Sequence, residues 1–233
     1  DLAPEQGTAD LRQVWGDFAR SQGGTFNESE RRGAERVSPG FAWRPVMQIP
    51  LHHSWTITIE AVRQAMLESW RKERSSLRDV VAPGGGRSYD FTTTLSLRYR
   101  SRDGFTFGIS RGTGDSLTEM KRNIEIGAAI ELTGLRGVRV HTRDELTARS
   151  VLRPRVIEAL NATAMQDLPL DLHIERASRW FGLSRSRTQM ELRLRVGTLL
   201  NDADSLAAHL DIVRELFDGL RRANSVQEQS GYE

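Results

Sequence analysis

The chain has 233 residues, 38% hydrophobic and 27% charged, with 33 basic against 31 acidic side chains and no cysteine. That is enough apolar residue for one large domain, or two small ones packed closely, and it excludes disorder throughout. It also excludes disulfides, thiolate nucleophiles and Cys-ligated zinc, and no apolar run approaches the ~20 residues that cross a bilayer as a helix.

Only Lys72 and Lys121 among the basic residues are not arginine. Codon bias in a GC-rich genome yields such usage without selection for the anion-binding guanidinium fork. The first residues carry neither a basic patch nor a hydrophobic stretch, so no signal peptide is expected in them and the cytoplasm is the expected compartment. Asp1, standing where an initiator Met would, is compatible with a leader, tag or anchor removed before it.

The first helix is expected from Ala9 to about Gln22, with Thr8 as N-cap, Leu11, Val14, Trp15 and Phe18 on one face, and Gly23-Gly24 as its stop. Residues 25–50, punctuated by Pro39, Pro45 and Pro50, read as irregular. Trp55 to Glu60 alternates as a half-buried strand, and 61–78 reads as a helix with Val62, Ala65, Met66 and Trp70 inward, or as an exposed arm, since Arg and Ser crowd its end. A loop follows from Val80 to Arg87. Tyr89, Phe91, Leu95, Leu97 and Tyr99 then share one strand face, and Phe105, Phe107 and Ile109 share another. Joined by Arg102-Asp103-Gly104, these two read as a hairpin pairing Tyr99 with Phe107 and Leu97 with Ile109, with Gly104 at positive φ.

Further strands are expected at Ile124–Leu132 and Gly137–His141. Thr142 and Glu145 have the spacing of a capping box, and Pro154 marks a break or a second helix start. Leu168 to Glu175 and Met190 to Val196 alternate as paired strands, with Asp171, His173, Glu175, Glu191, Arg193 and Arg195 on the polar face. The last helix is expected at about Asp204–Ala223, and a frayed tail after Asn224. The fold class is α+β: largely antiparallel sheet, helices on one side, and two ββα units in the C-terminal half. Residues 1–60 read as a helix and extended arm, and 61–233 as the main domain, with subdomains near 61–123 and 124–223.

Three runs carry a family resemblance: Leu97-Arg-Tyr-Arg-Ser-Arg-Asp-Gly-Phe-Thr-Phe-Gly-Ile-Ser-Arg111, Ile124-Glu-Ile-Gly127, and the segment from Arg143 to Ile157. Over residues ~90–220 the chain resembles uncharacterised bacterial domain families of unknown function. The resemblance implies a fold and brings no catalytic residues with it.

Candidate chemistry is sparse. His52 and His53 point to opposite faces of an extended segment and lack a third ligand nearby, so no metal site is expected. Pro83-Gly84-Gly85-Gly86-Arg87 precedes a strand, whereas a phosphate loop needs a helix there. No cofactor is implied. Asp171, His173 and Glu175 could form an acid/base cluster, or be the solvated face of a sheet opposite Arg193 and Arg195. Arg98, Arg100 and Arg102, with Arg185 and Arg187 around Trp180 and Phe181, would suit single-stranded nucleic acid. The leading expectation is a non-enzymatic protein-binding or scaffold domain, recognising a protein partner or a second copy through Phe41, Trp43, Trp180 and Phe181.

Overall fold

In the computed structural model, residues 4–28, 45–52, 54–63, 91–111, 126–135, 138–164, 170–177 and 188–228 are described, and helix α1 within them spans Pro4–Ser21. It begins well before Ala9 because Pro4 suits a first turn, where its fixed φ and missing amide cost nothing. Thr8 is therefore inside the helix and is not its cap. Trp15, Phe18 and Ala19 face the core. Gly23, at φ +68, ends the helix as expected: its amide returns to Arg20 O and that of Gly24 to Ala19 O, the paired bonds of a Schellman motif.

The stretch expected to be irregular contains two strands, β1 (Thr25–Glu28) and β2 (Pro45–Leu51). Prolines masked β2 in the sequence, yet Pro45 opens the strand and Pro50 sits beside its final residue, where a missing donor is tolerated. Between and beyond them Met47, Ile49 and Leu51 alternate inward. Strand β3 (Trp55–Arg63) runs past Glu60, so 61–63 are strand and not the start of a helix. The rest of that expected helix, the 80–87 loop, Phe41 and Trp43 lie outside the described residues.

Strands β4 (Phe91–Arg100) and β5 (Phe107–Arg111) follow, then β6 (Ala128–Ile130) and β7 (Arg139–Thr142). Helices α2 (Glu145–Val151) and α3 (Pro154–Ala164) meet at Pro154. Strands β8 (Leu170–Arg176) and β9 (Gln189–Val196) lead to helix α4 (Ala203–Arg222). The two ββα units are thus present in order. The cap of α2 differs from expectation: Asp144, not Thr142, accepts the Thr147 amide at 3.0 Å. Thr142 is held as the last residue of β7, where its hydroxyl accepts the Asp144 amide instead. Glu145, freed from the expected box, pairs with Arg149 one turn on.

The strands form one antiparallel sheet in the order β1-β2-β3-β4-β9-β8-β5-β7-β6. A row of directly opposed residues crosses all nine: Phe26, Met47, Ile59, Leu95, Leu194, Leu172, Ile109, Val140 and Ile130. Every one is apolar. Helix α4 lies against this face at β9 and β4, α1 against β1, β2 and α4, and α2 and α3 against α4. Trp15 ties the first helix to the far end of the chain, its indole donating to Leu200 O at 2.9 Å.

The expected β4–β5 hairpin does not form. Gly104 does take positive φ (+70), but β4 pairs with β3 and β9, and β5 with β8 and β7. The reason is competition for the β4 edge. Beyond the end of β3, that edge is filled by the chain's own tail: Gln227 N donates to Arg100 O and Arg102 N to Ser225 O. Asp103 locks the turn, accepting from the Phe105 amide and the hydroxyls of Ser101 and Ser225. Ser225 and Val226, expected in a frayed tail, are consequently buried.

Gly219 lies in α4 where a Cβ would stand 2.8 Å from Val151 O. In an open helix Gly→Ala stabilises by roughly 1 kcal/mol. Here Gly219→Ala is expected to destabilise by about 1–3 kcal/mol, through overpacking against backbone that cannot yield. Urea unfolding of the two proteins gives the sign, and a gain in stability would contradict this packing.

Candidate functional site

Strand alternation that sends Leu170, Leu172 and Ile174 to the core sends Asp171, His173 and Glu175 to the other face of β8. On β9 the matching residues are Glu191, Arg193 and Arg195, with Arg193 directly opposite His173 and Glu191 directly opposite Glu175. Arg98 of β4 stands opposite Glu191 on the next strand. Two carboxylates facing each other across a sheet repel, and Arg193 resolves the conflict. Its Nη2 donates to Glu191 Oε2 at 2.6 Å and its Nη1 lies 3.6 Å from Glu175 Oε1.

The contacts continue on both sides. Arg98 Nε is 3.6 Å from Glu191 Oε1. His173 Nε2 is 3.2 Å from Glu175 Oε1, and its Nδ1 is 3.6 Å from Asp171 Oδ1. Six side chains, Asp171, His173, Glu175, Arg193, Glu191 and Arg98, thus run in alternating charge across three strands.

This face is not the solvated surface expected from its polarity. His173 is 1% exposed and Glu191 3%. Part of the cover is visible: Gly108 of β5 lies between His173 and His141 in the register, and Ile126 packs over it, its Cδ1 at 3.0 Å from where a Cβ would be. A larger residue at 108 would displace that cover.

Burial alone would strip the proton from His173, but its hydrogen-bond and charge interactions with Asp171 and Glu175 outweigh that and hold its pKa above the ordinary 6.5. Both ring nitrogens face carboxylates and the residue is sealed from solvent. The carboxylates do converge on the imidazole as an acid/base site requires, yet no reacting group could reach it. The arrangement holds a charge in place.

Elsewhere the candidates separate. His52 sits at positive φ in the β2–β3 turn and contacts Asp218 Oδ1 of α4 at 3.0 Å; His53 lies outside the described residues. His141 Nδ1 faces Gly127 O at 3.4 Å. Arg98 is committed to Glu191, Arg100 lies beside it at the exposed end of β4, and Arg102 is in the turn beyond, not on the strand. Trp180, Phe181, Arg185 and Arg187 lie outside the described residues. Among the described residues no group of three or more His, Asp or Glu is arranged to hold a metal ion, and no helix is long and apolar enough to cross a membrane.

A cavity of about 540 Å³ opens beside the buried network, where the ends of β8 and β7 meet the turn before β5. Glu175 lines it, and so links it to His173; Arg176, Arg143, Asp144, Asp103 and Phe105 complete most of the wall. Sequence reasoning missed Arg143 altogether and took Glu191 and Arg193 for outward-facing charge. The available signal was the like-charge register of Glu175 and Glu191, which needs a bridging cation, and a glycine on the polar face of β5.

No family model matches the chain, and no curated protein matches it, in accord with the resemblance to families of unknown function. Among solved structures, the fold is similar to the crystal structure of the mycobacterial trehalose monomycolate transport factor A, TtfA. The TM-score is 0.51 at 14% identity, over 94% of this chain and 98% of that one. At that identity the likeness is one of fold.

Two outcomes test the network. Arg193→Gln leaves the buried Glu191 with only the longer contact to Arg98 and is expected to destabilise, by up to about 3–5 kcal/mol in denaturant unfolding; a loss near zero would show the face to be hydrated. The second concerns pH. His173 holds its proton to higher pH when folded than when unfolded, so its contribution is complete below about pH 6.5 and is lost as pH rises through the folded value. The unfolding midpoint should therefore fall from pH 6 towards the alkaline side, and His173→Gln should flatten that part of the profile.

Proposed function

We propose that this chain is a non-enzymatic domain that works by binding other proteins, as an accessory of a transport assembly. The observation that carries the reading is the end-to-end correspondence of its fold with a protein named as a transport factor. The sealing of His173 supports it, because the most reactive cluster among the described residues is closed to substrate. Phe41, Trp43, Trp180 and Phe181 are the proposed anchors for the partner, since large aromatic side chains supply most binding energy at protein interfaces.

The test is crosslinking in the native host followed by mass spectrometry, repeated with Trp180→Ala/Phe181→Ala. A specific partner lost from the variant, at an unchanged melting temperature, is the expected result; removing such anchors costs about 2 kcal/mol or more of binding each. A variant that unfolds assigns these rings to the core. A chain that crosslinks to nothing and binds single-stranded oligonucleotides with steep salt dependence would replace the proposal with nucleic-acid recognition.

A further inference from the structure

We propose that the cavity beside the buried charge network is a binding site for a small organic anion, a carboxylate or phosphate carrying an apolar body. Its volume, about 540 Å³, falls within the roughly 300–1,000 Å³ of small-molecule sites. Its lining includes three acids and two arginines, which taken as formal charge would favour no anion. What decides the matter is which of these groups still has hydrogen-bonding capacity to offer.

All three acids are committed within the fold. Asp103 accepts from the Phe105 amide, Ser101 and Ser225. Asp144 accepts from both the amide and the hydroxyl of Thr147, and these bonds hold its carboxyl below the usual range, as an anion already satisfied. Glu175 is engaged by His173 and Arg193. Arg143 and Arg176, by contrast, make no ion pair or side-chain hydrogen bond among the described residues. Asp103 and Asp144 keep their negative charge, which balances the two arginines, but the donors left to meet a ligand are those of the two guanidinium groups, whose planar forks pair with carboxylate or phosphate oxygens.

The apolar part of the site is closely packed. Phe105, 5% exposed, stacks on Phe107 with ring centroids 5.8 Å apart, and Ile126 is held over Gly108. A ligand with its anionic end towards Arg143 and Arg176 would set its apolar body against these two. The site stands independently of any protein partner, so failure of either proposal leaves the other in place.

Isothermal titration calorimetry of the whole chain at low ionic strength tests this, with phenyl phosphate and benzoate as probes and inorganic phosphate as the anion without an apolar body. The expected result is saturable binding of at least one aromatic anion, tighter than inorganic phosphate. In Arg143→Gln/Arg176→Gln it should weaken by about tenfold or more, as loss of charge-assisted hydrogen bonds implies. Both residues are exposed, so the melting temperature should not move; should the double variant be unstable, each single variant is expected to carry part of the loss. Arg153→Gln, an exposed arginine outside the cavity lining, should bind as the unaltered chain does. No saturable binding into the millimolar range would overturn the proposal. So would unchanged affinity in the double variant, an equal loss in Arg153→Gln, or inorganic phosphate binding as tightly as the aromatic anions.

Discussion

The architecture depends on the register that aligns apolar side chains from Phe26 to Ile130 across nine strands. In a strand the side-chain period is two, so a slip of one residue in any pairing would turn that strand's Leu and Ile residues away from α1 and α4. Each inner strand is pinned by both neighbours, and among the described residues the short β1 and β6 stand at the edges. Helix α4, whose Leu206, Leu210, Val213 and Leu216 are buried, can cover the centre of the sheet only because that row is continuous. The tail depends on the same register: its bonds to Arg100 and Arg102 require β4 to extend past the end of β3.

The register has a second consequence on the other face. Aligning Leu172 with Leu194 obliges His173 to face Arg193 and Glu175 to face Glu191. Burial then forces these charges to satisfy each other, because an uncompensated buried charge costs several kcal/mol. The alternating run from Asp171 to Arg98 is the solution found. Such networks often contribute no more to net stability than apolar packing of the same volume would. Here a slipped β8–β9 pairing would lose the match of His173 between its two carboxylates.

That constraint also shapes the view of function. The cluster most suggestive of catalysis is closed off by its own pairing, and only Glu175 reaches open space. The neighbouring cavity inherits a wall whose acids are used within the fold, leaving its two arginines as the groups able to respond to a ligand. Protein contact and small-anion binding are proposed on separate observations, and each can fail without the other.

Much of the fold was legible in the residues. The faces of β3, β4, β8 and β9 follow from strict alternation, α4 from its 3.6-residue apolar repeat, and the ends of α1 and α3 from Gly23 and Pro154, because these signals are local and each residue reports on its own neighbours. What the residues could not report was which strand edges meet. Arg102-Asp103-Gly104 has the chemistry of a hairpin turn, and Gly104 has its conformation, yet residues 225–227 arrive from the far end of the chain to occupy the edge that β5 would need. Nor does polarity reveal burial: Asp171, His173 and Glu191 look like solvated charge in sequence and become a covered network only when Ile126 folds back over Gly108 and β9 supplies Arg193. The sequence by itself determined the elements and their inward faces, since side-chain period and turn chemistry act over a few residues. Tertiary structure alone decided the strand order, the sealing of His173 and the pairing of charges that leaves Arg143 and Arg176 without an ion pair among the described residues, because each depends on contacts between segments distant in the chain, which no local pattern encodes.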